Sequence, residues 1–351
     1  MLSMTTNSNP QSNVSITSTS STLCDRPNIV LIGTGGTIAS SAGSATELQG
    51  YKVTASIDEV LAAVPNVNDL AKIRCEQVVN VESHQIDNLI LLHIAKRVDE
   101  LLKLPDVDGV VITHGTDTLE ETAYFLNLTL KSTKPVVMVG AMRPATALSA
   151  DGPLNLYNAF RLVTTPCASG KGVLIILNDR IGSARSMTKA STTGVDAFRS
   201  VGQGYLGEIV GNVVHFYSGP THAHTGESEF FLDAIESLPQ VDIIYDHQGA
   251  GAHLYHAAIA AGAQGIVLAA TGNGSLSPSA RAGAEEAVRN GVLFVRSSRA
   301  GDGIVTGSAD DETLGLVTAN SLNPQKARIL LMLALGKTRD FRIVQGYFDR
   351  Y

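Results

Sequence analysis

Short apolar runs alternate with helix-length segments through most of this chain, and this alternation restricts its fold more than any other feature. The predicted strands are 28–33, 76–81, 108–113, 135–140 and 172–178, and the predicted helices between them are 56–63, 86–103, 118–130 and 152–164. A regular strand–helix–strand series is typical of βαβ units, in which the strands are parallel and buried. The pattern therefore predicts an α/β fold.

The series is interrupted by a glycine-rich, polar region from about 200 to 230, and this interruption predicts two domains. A second series starts with the run 241–245, has strands near 265–269 and 292–296, and has its last helix at 323–335, where Pro324 suits the first helical turn. We expect a disordered N-terminal tail at 1–25, a larger N-terminal catalytic domain with a mostly parallel sheet and flanking helices at 26–216, a linker at 217–240, and a smaller C-terminal α/β domain at 241–351.

Composition excludes several classes of protein. The 351 residues are 44% hydrophobic and carry a net charge of −7, and no basic cluster with aromatic residues offers a surface for nucleic acid. No apolar run approaches the roughly 20 residues that span a bilayer, and residues 1–25 lack the charged and apolar regions of a secretory signal. The three cysteines, Cys24, Cys75 and Cys167, are too few for a disulfide framework. We expect a cytoplasmic protein with no nucleic-acid or membrane partner.

Two threonine-containing motifs follow predicted strands. One is Gly33-Thr34-Gly35-Gly36-Thr37-Ile38-Ala39, and the other is Thr113-His114-Gly115-Thr116-Asp117-Thr118-Leu119-Glu120-Glu121. In a parallel sheet both loops open at the carboxyl edge, where such sheets bind ligands. A dinucleotide fingerprint competes for the first motif, but its third glycine would fall at Ile38, and the Gly-Lys-Thr ending of a phosphate-binding loop is absent. The glycines fit better with a close approach of the main chain to a small ligand.

A threonine hydroxyl is a weak nucleophile unless a base lies nearby. Lys189 and Tyr51 are the candidates, because Lys189 follows the strand 172–178 and desolvation at that edge would favour the neutral amine, which can deprotonate Thr116. A solvated surface lysine is the alternative. His114 fits a structural hydrogen-bonding role better than that of a base. No GxSxG or HExxH motif occurs, and the remaining histidine pairs lack a third ligand, so we expect neither a metal nor a cofactor.

The two threonine motifs occur together with three further segments, 140–144 (GAMRP), 149–157 (SADGPLNLY) and 322–328 (LNPQKAR). In this combination and order they resemble bacterial-type L-asparaginases, particularly the type II and glutaminase-asparaginase branch, from about Pro27 to Tyr351. The resemblance implies a two-domain α/β protein that forms a homotetramer, with active sites at a dimer interface.

The resemblance also implies roles for individual residues. Thr37 would be the nucleophile, with Tyr51 near it on a mobile segment from Ser40 to Tyr51, and Thr116, Asp117 and Lys189 would form a second hydroxyl–carboxylate–base set. The substrate-binding residues would be Ser83, His84, Thr116, Asp117 and Ala141, joined by Ser275 and Asp310 from a neighbouring subunit, with Asp311 as a substitute for Asp310. This chain departs from the family pattern at Glu82 and His84, which flank Ser83, and at Asp310, where a glutamate is common.

The function implied by the resemblance is hydrolysis of L-asparagine to L-aspartate and ammonia through an acyl-threonine intermediate. Glutaminase side activity stays open, because L-glutamine differs from L-asparagine by one methylene. Two alternatives are an ammonia-supplying amidotransferase subunit and a catalytically silent amino-acid-binding protein. The expected partners are therefore a small-molecule substrate and further copies of this chain.

Overall fold

A computed structural model describes residues 26–351, so the tail predicted at 1–25 lies outside the described residues. The strands are Asn28–Gly35 (β1), Ser40–Ser41 (β2), Lys52–Val53 (β3), Lys72–Val81 (β4), Gly109–Thr113 (β5), Val136–Val139 (β6), Val173–Leu177 (β7), Arg180–Ser183 (β8), Met187–Lys189 (β9), Phe198–Ser200 (β10), Gly207–Val210 (β11), Val213–Phe216 (β12), Val241–Tyr245 (β13), Gly265–Ala270 (β14), Leu293–Ser298 (β15) and Val317–Thr318 (β16). The α-helices are Ile57–Ala62 (α1), Asn88–Lys103 (α2), Leu119–Thr129 (α3), Gly152–Val163 (α4), His253–Ala260 (α5), Pro278–Arg289 (α6), Ala309–Leu314 (α7), Pro324–Leu335 (α8) and Phe341–Arg350 (α9).

The larger sheet has the strand order β12-β11-β8-β7-β6-β5-β1-β4. Neighbours from β4 to β7 are parallel, whereas β8, β11 and β12 extend the sheet with antiparallel pairs. A separate sheet, β13-β14-β15-β16, is parallel throughout. The predicted fold, a larger mostly parallel domain followed by a smaller α/β domain, is confirmed.

Both faces of the larger sheet are buried, which explains its continuous apolar strands. Val30 and Ile32 belong to one buried cluster, while Ile29 and Leu31 belong to the cluster on the opposite face. Helices α1 and α4 pack on one face, and α2 and α3 pack on the other. Helix α8 of the second sheet also contacts α3, so the two parts of the chain share one apolar cluster. Within residues 26–351, none of the helices is long and apolar enough to cross a membrane.

The strand order places a ligand-binding edge at a definite position. The chain passes from β1 to β4 on one side and then to β5 on the other, so the direction of strand addition reverses beside β1. Open α/β sheets bind ligands outside the carboxyl ends of strands at such a reversal. The loops after β1, β4, β5 and β6 all open at this edge, and they carry Thr37, Ser83, Thr116 and Ala141.

The region from 200 to 230, predicted as an interruption, contains two strands of the larger sheet. A two-residue turn at Gly211 and Asn212, with φ of 56° and 64°, joins β11 to β12. A second such turn at Asn178 and Asp179, with φ of 48° and 64°, joins β7 to β8. Positive φ at both turn positions is typical of the type I′ turn, which matches the twist of a hairpin. The sequence did not predict these strands, because short strands between polar turns carry little apolar signal.

The helix predicted at 323–335 forms, but it is not the last one. Asn323 caps α8 by accepting a hydrogen bond from the Lys326 main chain at 3.0 Å. Helix α9 follows it, and Asp340 accepts from the Arg342 main chain at 2.8 Å at its start. Val344 and Phe348 of α9 are fully buried. The sequence signal for α9 is therefore a capping aspartate followed by apolar residues at helical spacing.

Candidate active site

The first threonine loop leaves β1 through two glycines in the left-handed region. Gly35 and Gly36 have φ of 95° and 82°, and Thr37 then starts a single helical turn. The buried Thr34 hydroxyl donates to the main-chain oxygen of Thr113 at 2.8 Å, so it ties this loop to β5. The Thr37 hydroxyl instead lies 3.1 Å from the Tyr51 hydroxyl. Of these two threonines, only Thr37 has a side-chain partner that a substrate could replace.

The two threonine loops touch through their main chains. A Cβ atom on Gly36 would lie 2.3 Å from both Cα and N of Gly115, and a Cβ on Gly115 would lie 2.8 Å from the Ser83 side chain. Contacts this close leave room only for glycine. The predicted residues Thr37, Thr116 and Ser83 are therefore brought to one place by adjacent loops.

Lys189 is the centre of a hydrogen-bonded group at this edge. Its Nζ donates to Thr116 Oγ1 at 2.9 Å and to Asp117 Oδ1 at 2.6 Å. The Lys189 side chain is 16% exposed, whereas that of Asp117 is 60% exposed. The alternative of a solvated surface lysine is therefore wrong. The arrangement gives the Thr116 hydroxyl a nitrogen partner and leaves the Asp117 carboxylate open to solvent.

The element that carries Lys189 differs from the sequence interpretation. The sequence predicts Lys189 after the strand 172–178, at the same carboxyl edge. In the structure β8 comes between, and Lys189 lies in β9, which pairs with β10 in a separate two-stranded sheet. Its position beside Thr116 therefore depends on how this small sheet packs, and not on the end of a parallel strand.

Two main-chain amides of the site have no internal partner. Across residues 26–351, neither the Thr116 N–H nor the Ala141 N–H donates a hydrogen bond, although Thr116 is 4% exposed and Ala141 is fully buried. Buried main-chain donors are nearly always paired in folded proteins. These two amides therefore point to an acceptor that the protein itself does not supply.

The segment from Ser40 to Tyr51 is the loop of a small hairpin between β2 and β3. Residues 43–50 are exposed, and contacts at two places hold the loop. The Ala42 amide donates to the Thr146 hydroxyl at 2.9 Å, and the Leu148 amide donates to the Ala45 carbonyl at 2.8 Å. Tyr51, at the end of the loop, is half-buried against Thr37. A movement of this loop would therefore carry the Tyr51 hydroxyl with it.

The segment around Ser83 separates into buried and exposed parts. Ser83 is 4% exposed, and its main-chain oxygen accepts from the Thr118 hydroxyl at 2.8 Å, which ties it to the second threonine loop. His84 points outward with a 59% exposed side chain, and its Nε2 lies 3.5 Å from Glu82. The structure joins Ser83 to the site but gives His84 no contact with the threonines.

Ser275 and Asp310 lie in the second domain. Ser275 pairs with Thr271 in an isolated bridge, and Asp310 forms an ion pair with Arg281. Within the described part of the chain, no hydrogen bond or ion pair joins either residue to Thr37, Thr116 or Lys189.

Asp311, predicted as a substitute for Asp310, is committed to another contact. Its carboxylate accepts two hydrogen bonds from the buried Arg296 side chain, each at 2.6 Å, and the Ser308 amide also donates to it. The Asp311 side chain is 10% exposed. Asp311 therefore holds the start of α7 and is not free to reach a neighbouring subunit.

The two adjacent aspartates should differ sharply when substituted. We expect Asp311→Asn to lower the free energy of unfolding by about 3–5 kcal/mol, because it leaves the Arg296 charge buried without its partner. Asp310→Asn should cost no more than about 1 kcal/mol, because its ion pair is exposed. Urea unfolding of the two variants beside the unmodified protein measures both values, and equal effects would contradict this assignment.

His114 takes a structural position beneath the second loop. Its Nδ1 lies 2.7 Å from the Gly115 main-chain oxygen, and burial lowers the pKa of His114 to about 4. The ring is therefore neutral near pH 7, with Nδ1 donating. In residues 26–351 no group of three His, Cys, Asp or Glu side chains is arranged to hold a metal ion.

One buried acid beside the site was not among the predicted residues. Glu120 follows Thr116 by four positions, is 4% exposed, and accepts from the Thr188 hydroxyl at 2.8 Å. Acidic residues are common in the first turn of a helix because they offset its dipole, so the sequence did not distinguish Glu120 from an exposed one. Its burial follows from contacts with α8, about 200 residues later.

Comparison with known proteins identifies the family to which the chain is similar. The family model "Asparaginase, N-terminal" matches residues 28–222, and the model "Glutaminase/Asparaginase C-terminal domain" matches residues 240–348. The chain is 53% identical to L-asparaginase 2 of Bacillus subtilis over 328 residues, which cover 93% of this chain and 87% of that protein. It is 44% identical to the glutaminase-asparaginase of Pseudomonas fluorescens over 328 residues, 92% of this chain and 90% of that protein.

A solved structure also resembles the fold. The crystal structure named "Probable Cytoplasmic L-asparaginase from Campylobacter jejuni" superposes with a TM-score of 0.91 at 47% identity, covering 93% of this chain and 100% of that chain. The two family models together span most of residues 26–351, including both threonine loops. The resemblance drawn from the five motifs is confirmed, and the chain belongs to the asparaginase family of hydrolases.

Proposed function

We propose that this protein hydrolyses L-asparagine to L-aspartate and ammonia, with Thr37 as the nucleophile, and that it also accepts L-glutamine. The observation that carries the proposal is the convergence of two threonine loops beside the Lys189 amine, with two unpaired main-chain amides at the same edge. Relatives named L-asparaginase and glutaminase-asparaginase support the choice of substrates.

The proposed first step is attack of Thr37 Oγ1 on the side-chain amide carbon of the substrate. The C–N bond breaks as the acyl-threonine ester forms, and the departing nitrogen takes up the proton lost by Thr37. The proposed carriers of that proton are the Tyr51 hydroxyl, 3.1 Å from the Thr37 hydroxyl, and the pair of Thr116 hydroxyl and Lys189 amine, 2.9 Å apart.

Charge on the carbonyl oxygen develops during attack and needs hydrogen-bond donors. The Thr116 and Ala141 amides fit this need because they are buried and unpaired before substrate binds. A water molecule then attacks the ester carbon, which releases L-aspartate and returns a proton to Thr37. The overall reaction consumes one water for each ammonia released.

Recognition of the α-ammonium and α-carboxylate groups is assigned to the polar side chains around the threonines. Asp117 offers an exposed carboxylate for the ammonium, and Ser83 offers a hydroxyl beside Gly115. We keep His84 as a substrate-binding candidate on the exposed rim. Ser275 and Asp310 are proposed to act from a second copy of the chain in a homotetramer, because one copy holds them in its other domain. We also propose that the protein is cytoplasmic.

Steady-state measurement of kcat/KM for L-asparagine, L-glutamine and D-asparagine tests the function. We expect ammonia and L-aspartate from L-asparagine, slower release from L-glutamine, and the weakest turnover with D-asparagine, whose inverted centre misplaces one α-group. Binding of L-asparagine without ammonia release would favour the amino-acid-binding alternative. Ammonia release only in the presence of another subunit and its acceptor would favour the amidotransferase alternative.

A further inference from the structure

A cluster of buried and half-buried polar side chains lies between Lys189 and the second domain. We call it the Glu120 cluster, and it consists of Glu120, Thr188, Asn323, Gln325 and Lys326. The side chains of Glu120 and Lys326 are 5% and 2% exposed, and their charged atoms lie 3.6 Å apart. Three of the five residues belong to the LNPQKAR segment of the sequence, which the proposed chemistry does not use.

In the described part of the chain, every hydrogen bond and ion pair of the Glu120 side chain leads either to β9 or to the start of α8. One carboxylate oxygen accepts from the Thr188 hydroxyl at 2.8 Å, from the Lys189 main-chain amide at 3.4 Å and from Gln325 at 3.3 Å. The other accepts from Asn323 Nδ2 at 2.9 Å. One side chain thus joins the strand that carries Lys189 to a helix of the second domain.

Lys326 holds the same strand from its other end. Its Nζ donates to the main-chain oxygens of Arg185, at 2.9 Å, and of Met187. Met187 is the first residue of β9, and Arg185 lies two positions before it. Burial lowers the pKa of Lys326 to about 8, and the neighbouring Glu120 charge opposes that shift. The segment 185–189 is therefore fixed by hydrogen bonds to a buried ion pair.

Apolar side chains of similar size would often fill such a space at a lower cost in free energy, because an ion pair requires both of its charges to be taken out of water. The ion pair instead fixes the path of the main chain, because its side chains form hydrogen bonds with main-chain atoms. The Lys189 side chain has four rotatable bonds, so its reach to Thr116 depends on where its Cα is held. Displacing a reacting group by about 1 Å can lower a rate by roughly 10²-fold.

We propose that Glu120 is a positioning residue for Lys189, held in place by Asn323, Gln325 and Lys326 of the second domain. The inference rests on the proposed function, because it assigns Lys189 a proton-transfer role. It also gives the LNPQKAR segment a role, since this segment couples the docking of the second domain to the alignment of the Lys189 amine with the Thr116 hydroxyl.

The first test is the variant Glu120→Gln, which puts an amide donor opposite the Asn323 and Lys326 donors. We expect kcat for L-asparagine to fall about 10- to 100-fold, as for a misplaced reacting group, with KM changed by less than about threefold. Glu121→Gln is the matched control, because Glu121 is the next residue of α3 and faces Arg328 at 4.0 Å across the same boundary without touching β9. It should keep kcat near that of the unmodified protein.

Thr188→Val tests the same link without leaving the Lys326 charge unpaired, and so covers the case in which Glu120→Gln fails to fold. Here we expect a smaller loss of kcat, about 3- to 10-fold, because Glu120 keeps its contact with the Lys189 amide. In a Lys189→Met background, Glu120→Gln and Thr188→Val should lower the residual kcat no further, because their effect passes through the missing amine. A residue that only supports the fold would lower kcat by the same factor in both backgrounds.

A crystal structure of either variant gives a readout that does not depend on turnover. We expect the distance from Lys189 Nζ to Thr116 Oγ1, 2.9 Å in the unmodified protein, to lengthen beyond hydrogen-bonding range. An unchanged distance, or equal losses in the two backgrounds, would overturn the proposal. If the unmodified protein released no ammonia from L-asparagine or L-glutamine, the proposed function would fail, while this distance would still decide whether Glu120 positions Lys189.

Discussion

Thr37→Val is expected to lower kcat for L-asparagine by about 10⁴-fold or more, as is typical when the nucleophile of a covalent mechanism is removed. Valine keeps the shape of the side chain but has no oxygen that can form the ester. Among residues 26–351 the Thr37 hydroxyl bonds only to Tyr51, and Thr37 is 8% exposed, so the fold should lose little stability. Ammonia release and thermal unfolding measured on the same preparation separate the two effects.

Thr34→Val is the matched control, three positions earlier in the same loop. The Thr34 hydroxyl donates to the Thr113 carbonyl, so its loss should cost about 1 kcal/mol of stability and leave most of the activity. Thr37→Ser, which keeps a hydroxyl, should recover part of the loss. Similar kcat values for Thr34→Val and Thr37→Val would show that Thr37 is not the nucleophile.

Lys189→Met should lower kcat by about 10³-fold, within the range that a general acid–base group contributes. Methionine fills the space of the lysine stem but cannot take a proton from Thr116 Oγ1, 2.9 Å from the amine. Lys189→Arg separates proton transfer from charge, because a guanidinium keeps the positive charge but does not give up its proton near neutral pH.

We therefore expect Lys189→Arg to be almost as impaired as Lys189→Met. Recovery of kcat to within about tenfold of the unmodified protein in Lys189→Arg would assign Lys189 an electrostatic role instead. A rate constant measured in a single turnover, with enzyme in excess, shows whether the loss lies in the chemical step rather than in product release.

The parallel part of the fold could be predicted from the sequence because its strands are buried on both faces. β5 and β7 are continuous apolar runs bounded by turn residues, and the structure shortens the predicted strands by one residue at the start of β5 and by one residue at each end of β7. The antiparallel strands β8 to β12 were missed because they have three or four residues and mix charged with apolar positions. Their two-residue turns, Asn178-Asp179 and Gly211-Asn212, were the stronger signal.

The residues of the candidate site also divide into those that the sequence could place and those that it could not. Thr37 and Thr116 could be assigned from their positions after strands, because the end of a parallel strand fixes where the next residues lie. Lys189 was predicted near the site from the strand 172–178, which does not carry it, and Glu120 was not predicted, since the positions of both depend on how β9 and α8 pack against α3. Local sequence also could not tell the buried Asp311 from the exposed Asp310, because the difference is made by Arg296, a residue of β15.

The central claim is that one substrate amide lies between the two threonine loops. A crystal structure of the protein with L-aspartate, the proposed product, tests it most directly. We predict the side-chain carboxyl carbon within about 3.5 Å of Thr37 Oγ1, one of its oxygens facing the Thr116 and Ala141 amides, and the α-ammonium beside Asp117. L-Aspartate bound with its α-carboxylate at the threonines, or bound in another cavity, would contradict the account.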